Sequence, residues 1–162
     1  MSEADTDAVG GRSEGVSVGE EITRPDDDRR RTAPSAGDAS LVLIVEDEEP
    51  IAEALALVVR DAGFRSMVAA HGLQALEMAR ADPPALVITD LMMPHLDGAE
   101  LIAALRSRAA LDGGQAPPII LVTAAGPRRA LAAGADAVLR KPFELAALER
   151  LLRRFLGTTT GA

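Results

Sequence analysis

The chain has no cysteine, no tryptophan and no tyrosine, and of its 17 basic residues only Lys141 is a lysine. Each scarcity excludes something. Without thiols there is no disulfide framework, no thiolate metal site and no thiol nucleophile. Three phenylalanines are the whole aromatic complement, so Leu, Val, Ile and Ala must do the packing, and no rings are at hand to stack on a flavin. No apolar run approaches the roughly 18 residues that a membrane span needs. Met1 to Gly10 is acidic and lacks an apolar centre, so it does not read as a secretory leader. Positive charge is outweighed: the formal net charge is −8, whereas a nucleic-acid surface needs a basic face. A cytoplasmic protein that binds neither nucleic acid nor membrane is the expectation.

What remains is ample for a core. Hydrophobic residues make up 48% of 162, which suits one domain of ordinary size with some chain to spare. Residues 1 to 39 differ in kind from the rest. Gly, Ser, Asp, Glu and Arg dominate, Asp26-Asp27-Asp28 runs into Arg29-Arg30-Arg31, and Val16, Val18 and Ile22 stand isolated. Such a stretch buries too little apolar surface to offset the entropy of ordering. It is expected to be a disordered tail, with residues 40–157 forming the domain and residues 158–162 a short C-terminal tail.

Within the domain, short continuous apolar runs alternate with helical patterns. Leu41 to Val45, Phe64 to Ala69, Leu86 to Thr89, Ile119 to Val122 and Ala137 to Leu139 read as strands. Helices are expected from Pro50 to Ala62, from Gly72 to Arg80 with Leu73, Leu76 and Ala79 (or Ala75) inward, and from Ala99 to about Arg108. Two more are expected over Pro127 to Ala133, and from Glu144 to Leu156 with Leu145, Leu148, Leu152 and Phe155 on one face. Runs without alternation imply strands covered on both sides, hence a parallel sheet. The fold class is therefore α/β: a five-stranded parallel doubly wound sheet of order 2-1-3-4-5, flavodoxin-like.

That order brings four chemically suggestive strand ends together. Glu46 and Asp47 follow the first strand, Asp90 the third, Thr123 ends the fourth and Lys141 follows the fifth. Open sheets of this kind bind their ligands at such C-terminal ends. Carboxylates held close together stay ionised only if a cation joins them, and hard oxygen donors with open positions suit Mg²⁺. An Asp90 oxygen could then act as a nucleophile toward phosphorus. Thr123 could donate to a phosphoryl oxygen. Lys141, kept where every other basic residue is Arg, supplies a compact ammonium that can approach a single oxygen.

Leu43-Ile44-Val45-Glu46-Asp47-Glu48, Asp90-Leu91-Met92-Met93-Pro94-His95-Leu96-Asp97-Gly98, Val122-Thr123-Ala124 and Lys141-Pro142-Phe143 closely resemble the receiver domain of two-component response regulators. The resemblance implies that Asp90 accepts a phosphoryl group from a phosphohistidine on a sensor histidine kinase or histidine phosphotransfer protein. It implies Mg²⁺ on Asp47, Asp90 and the carbonyl of Met92, with Glu46 assisting, and contacts of Thr123 and Lys141 with the phosphoryl oxygens. It further implies a phosphoryl acceptor rather than an enzyme, with slow self-dephosphorylation at most, and a cis Lys141–Pro142 bond. With no output domain after Leu156, a stand-alone regulator acting on a downstream protein is expected; homodimerisation on activation is left open.

Pro94 and Gly98 read as turn residues, Asp97 as a turn and helix-cap residue, and His71 and His95 as solvated or loop histidines. Glu46 stands where the family more often has Asp. Val138 stands where it usually carries an aromatic that swings on activation, and Val has one stiff torsion and no ring. The short helix after Thr123 is expected to carry the readout instead, through Arg128 and Arg129. The competing readings are weaker. A receiver fold that binds proteins without phosphorylation would not need the full acidic and lysine set. A haloacid-dehalogenase-type phosphatase needs a second Asp where Met92 stands.

Overall fold

The computed structural model describes residues 39–157 and the backbone of residues 21–23. In chain order the elements are β1 Glu21–Thr23, β2 Leu41–Val45, α1 Glu49–Asp61, β3 Arg65–Ala69, α2 Gly72–Ala81 and β4 Leu86–Asp90. Then follow α3 Gly98–Leu111, β5 Ile119–Thr123, α4 Pro127–Ala132, β6 Ala137–Arg140 and α5 Leu145–Leu156. They build one sheet of order β1-β6-β5-β4-β2-β3. The five strands from β2 to β6 run parallel in the expected 2-1-3-4-5 order.

Burial follows from the composition of the runs. Every residue of β2, β4 and β5 is buried, because helices cover both faces. One face of the sheet, with Val42, Ile44, Ile88, Ile120 and Leu139, packs on Leu55 and Val59 of α1 and on Leu148, Leu151 and Leu152 of α5. The other, with Leu43, Val45, Val87, Leu121 and Val138, packs on Ala75 of α2, Leu101, Ile102 and Leu105 of α3 and Ala130 of α4. Each Leu so buried contributes about 1.5–3 kcal/mol of transfer free energy. β3, at the sheet edge, is only partly covered.

Several expectations are corrected at the level of single residues. Leu73 turns outward, 58% exposed, whereas Ala75 is fully buried and Leu76 and Ala79 pack partly buried beside it, as expected. A Cβ on Gly72 would run into the side chain of Leu96, so Gly72 itself makes the inward contact of the first turn. Leu73, about 100° further round, then points away. Leu145 is likewise exposed; Phe143 packs against that side of the core in its place. α3 continues to Leu111, beyond Arg108. The tail expectation for residues 1 to 39 falls outside the described residues except at Glu21–Thr23 and at residue 39. Residues 21–23 depart from it by pairing antiparallel with Ala137–Leu139 of β6. A sheet edge offers a row of unpaired backbone groups, and a short segment can satisfy them without any core of its own.

The connections hold the functional edge in register. Asp97 caps α3 through a reciprocal capping box with Glu100. Asp136 accepts from the Ile119 N–H at 2.8 Å, and Arg106 Nη2 donates to the Gly134 carbonyl at 2.6 Å, which ties the start of β6 to the start of β5 and to α3. The Lys141–Pro142 peptide bond is cis.

Candidate functional site

β2 and β4 lie side by side with Val45 opposite Thr89, so the next residues of each, Glu46 and Asp90, emerge together at the C-terminal edge. On the other side of β4, Asp90 is opposite Val122, one residue before Thr123. The Lys141 N–H donates to the Thr123 carbonyl at 2.9 Å, which anchors the lysine as it leaves β6. Glu46, Asp90 and Thr123 are all buried, a small and unusual set of polar residues in the interior.

Lys141 Nζ donates to Asp90 Oδ2 at 2.7 Å and to Glu46 Oε2 at 3.5 Å. The remaining oxygens are also engaged: Asp90 Oδ1 accepts from the Met92 N–H at 3.0 Å, and Glu46 Oε1 accepts from the Glu48 N–H at 3.2 Å. Burial pushes the Glu46 carboxyl up; the Glu48 amide and Lys141 oppose this, and Asp47 and Asp90 add to it, leaving it raised. Burial works to lower the Lys141 ammonium, but the hydrogen bond and charge of Asp90, then Glu46, outweigh it and hold it above its ordinary value. Two buried carboxylates thus share one ammonium.

Asp47 is exposed and borders an open cleft with Glu46, Glu53, Arg60 and Gln74. Among the described residues no three acidic or imidazole groups form a ready metal-holding cluster, although both Asp47 and Asp90 act on the Glu46 carboxyl. Asp47, though exposed, is close enough to Glu46 to help raise its carboxyl, while Lys141 lies between Glu46 and Asp90. The donor set nonetheless suits Mg²⁺. That ion keeps several waters and binds through one or two carboxylates, and the buried Glu46 and Asp90 carboxylates here share a single ammonium, that of Lys141. Met92 takes part through its backbone N–H, while its side chain is 56% exposed.

Thr123 Oγ1 accepts from the Ala125 N–H at 3.1 Å, which leaves its own hydroxyl proton available to another acceptor. Three features escaped the sequence. A Cβ on Gly98 would strike the backbone carbonyl of Asp90, so this glycine is more than a turn residue: it lets α3 start against the acid. His71 is not merely solvated but caps α2, its Nδ1 accepting from the Gln74 N–H at 3.2 Å. His95, in the loop after Asp90, sits at φ 69°, a left-handed conformation uncommon outside glycine. The Asp-Gly and Pro-His pairs mark turns in sequence, but not which atoms the turns approach.

With this geometry in hand, comparison with known proteins gives a consistent result. The family model for the response regulator receiver domain matches residues 42–153. Response regulator MprA of Mycobacterium ulcerans is 40% identical over 117 residues, which cover 70% of this chain and 47% of that protein. This chain thus spans about half the length of the curated relatives it matches. Two solved structures are similar in sequence and fold. The receiver domain of sensor histidine kinase PA1611 from Pseudomonas aeruginosa, with a magnesium ion coordinated in its active site cleft, has a TM-score of 0.63 at 30% identity, covering 74% of this chain and 98% of that one. The Saccharomyces cerevisiae Ssk1 receiver domain, crystallised with the histidine phosphotransfer protein Ypd1, has a TM-score of 0.67 at 26% identity, covering 73% and 89%.

Proposed function

The chain belongs to the family of response regulator receiver domains, and from that premise we propose that it accepts a phosphoryl group on Asp90 from a phosphohistidine and signals through contacts that depend on it. The observation that carries this is the Lys141 ammonium 2.7 Å from Asp90 Oδ2. It is the chain's single lysine, set against a buried acid at the end of the central strand.

In the transfer an Asp90 carboxylate oxygen forms a bond to phosphorus, and the phosphorus–nitrogen bond of the donor phosphohistidine breaks. Its electron pair returns to the imidazole nitrogen, and Asp90 becomes an acyl phosphate. Lys141 and the Met92 N–H fix the carboxylate between them, so that little reorientation precedes attack. After transfer, the Lys141 ammonium is placed to bind a phosphoryl oxygen, and the free hydroxyl proton of Thr123 can donate to another. Asp47, Asp90 and the Met92 carbonyl, with Glu46 adjoining, are the groups that would hold Mg²⁺, which when bound neutralises the charge gathering at the pocket. The acyl phosphate is a signal and not a product in turnover, beyond slow self-hydrolysis.

The donor class proposed is a sensor histidine kinase or a histidine phosphotransfer protein; the Ssk1–Ypd1 pair supports the second of these by similarity. We propose that this exchange takes place in the cytoplasm. Among the described residues no helix is long and apolar enough to cross a membrane. The test is intact mass after incubation with acetyl phosphate and Mg²⁺. The wild type should gain one phosphoryl group and Asp90→Asn none. A gain that persists in Asp90→Asn would reject the assignment.

A further inference from the structure

We propose that Arg140 couples the phosphoryl site to α4, as a positioning residue that acts through Thr123 and the segment that follows it. This rests on the reading of Asp90 as phosphoryl acceptor. Arg140 is the register partner of Thr123 on the adjacent parallel strand, and in-register neighbours project to the same face of a sheet. On that face Leu121 and Val138 pack with Ala130 and Leu131 of α4. Arg140 therefore stands beside the buried threonine, on the side of the sheet that α4 covers, one residue from Lys141.

Two facts set it apart. The Arg140 Nε is buried and has no hydrogen-bond partner among the described residues. Arg106 shares a buried, unpartnered Nε, but its Nη2 is held by the Gly134 carbonyl and Asp136, so its guanidinium is anchored. No such anchor holds Arg140 among the described residues. The second fact is Val138, fully buried and without a mobile torsion. The strand thus lacks a ring that could move, yet two residues further along it carries a long side chain with an unmet donor.

A buried donor without an acceptor disfavours the state that contains it. In the resting state Thr123 Oγ1 is committed to the Ala125 N–H. When a phosphoryl oxygen on Asp90 draws the threonine hydroxyl away, that bond and the turn leading into α4 are released. Arg140 then gains an acceptor among the backbone carbonyls of residues 124–126. The donor is unmet in one state and satisfied in the other, and this difference shifts the equilibrium between them. By linkage, phosphorylation repositions the start of α4 through Arg140, and Arg140 favours the phosphorylated state in return.

The test uses the full chain with beryllofluoride and Mg²⁺ as the phosphoryl mimic, and compares wild type with Arg140→Met and Arg140→Lys. In wild type the Arg140 Nε–H resonance, assigned by its loss in Arg140→Lys, should shift and gain protection from exchange on saturation. Both variants should still gain phosphoryl mass from acetyl phosphate. In each, however, beryllofluoride should bind about tenfold more weakly, and the change in hydrogen exchange over residues 124–134 should be largely lost. Lysine should fail to rescue because it keeps the charge but lacks the Nε–H. An Nε–H resonance that ignores beryllofluoride, or an α4 response of wild-type size in Arg140→Met, would overturn the proposal while leaving Asp90 as acceptor. If the variants do not fold, the wild-type resonance, assigned through its bonds to the Arg140 side-chain carbons and backbone, decides alone. Absence of any mass gain in the wild type would overturn the acceptor reading, and the role of Arg140 with it.

Discussion

On the β2–β4 side of the site both buried carboxylates have their oxygens engaged, by Lys141 and by the Met92 and Glu48 amides. On the β5–β6 side, helix α4 has six residues and no side-chain cap, and the neighbouring Arg140 has an unmet donor. One side is fixed before the phosphoryl group arrives. The other is marginal by construction, since so short a helix has little stability of its own. A receiver needs both: a pocket whose geometry does not wait on the donor, and an output surface whose two states differ little in free energy.

The contrast can be broken most forcefully at Lys141. Its side chain is 24% exposed against 2% for Glu46 and 11% for Asp90, so Lys141→Met leaves two buried acids without their cation. We expect a loss of about 3 kcal/mol at neutral pH by urea denaturation, partly restored by Mg²⁺. Because the folded-state value of Lys141 is raised, its contribution is fully present below the ordinary lysine value of 10.5 and is lost as pH rises through the raised one. Equal stability of variant and wild type at pH 7 would mean that the pocket is not fixed by this pair.

Next comes a pair of glycines, one on each side. Gly98→Ala forces a Cβ onto the Asp90 carbonyl and should cost about 2 kcal/mol, with slower phosphorylation because the acid moves. Gly126 caps α4 at φ −62°, and a Cβ placed there would meet nothing within 4 Å. Gly126→Ser should therefore supply the missing cap and stabilise by about 0.5 kcal/mol. Thermal denaturation of the two variants reads both signs; a similar effect at the two positions would remove the asymmetry.

The smallest effect is electrostatic. The folded-state value of Glu46 is raised, so the folded protein holds a proton there more tightly than the unfolded chain does. Its ionisation lowers stability as pH rises from the ordinary glutamate value of 4.5 through the raised one. Glu46→Gln should accordingly stabilise the metal-free protein slightly at neutral pH. The gain should vanish below pH 4.5, and Mg²⁺ should bind the variant less well. A destabilised variant at pH 7 would show that the pair with Lys141 outweighs burial.

The strands were legible because runs such as Leu41–Val45 and Ile119–Val122 are apolar throughout, and the site because each run stops at a polar residue. Glu46, Asp90 and Thr123 stand where such runs stop; Lys141 lies one residue past Arg140, where the last run stops, and stood out as the chain's single lysine. Leu73 misled because helical spacing fixes relative angles on α2 but not which face meets the sheet; Gly72 against Leu96 decides that. β1 was invisible because its pairing depends on an open edge of β6, which no local pattern in residues 21–23 announces. Arg140 looked like one more arginine, since an unmet buried donor is a property of surroundings.

Sequence by itself determined the alternation of strand and helix, the parallel order, and the identities of the acid, the hydroxyl and the lysine at the strand ends. These follow from local physics: apolar continuity, turn residues and caps act over a few residues. Only the tertiary structure decided that Lys141 reaches across 51 residues to Asp90 and 95 to Glu46, that Asp47 is exposed while Glu46 is buried, and that Arg140 stands beside Thr123. Distances between strand ends depend on how the crossovers pack, and the balance between burial and pairing of a charge depends on every neighbour brought there. Neither quantity is written in any one segment of the chain.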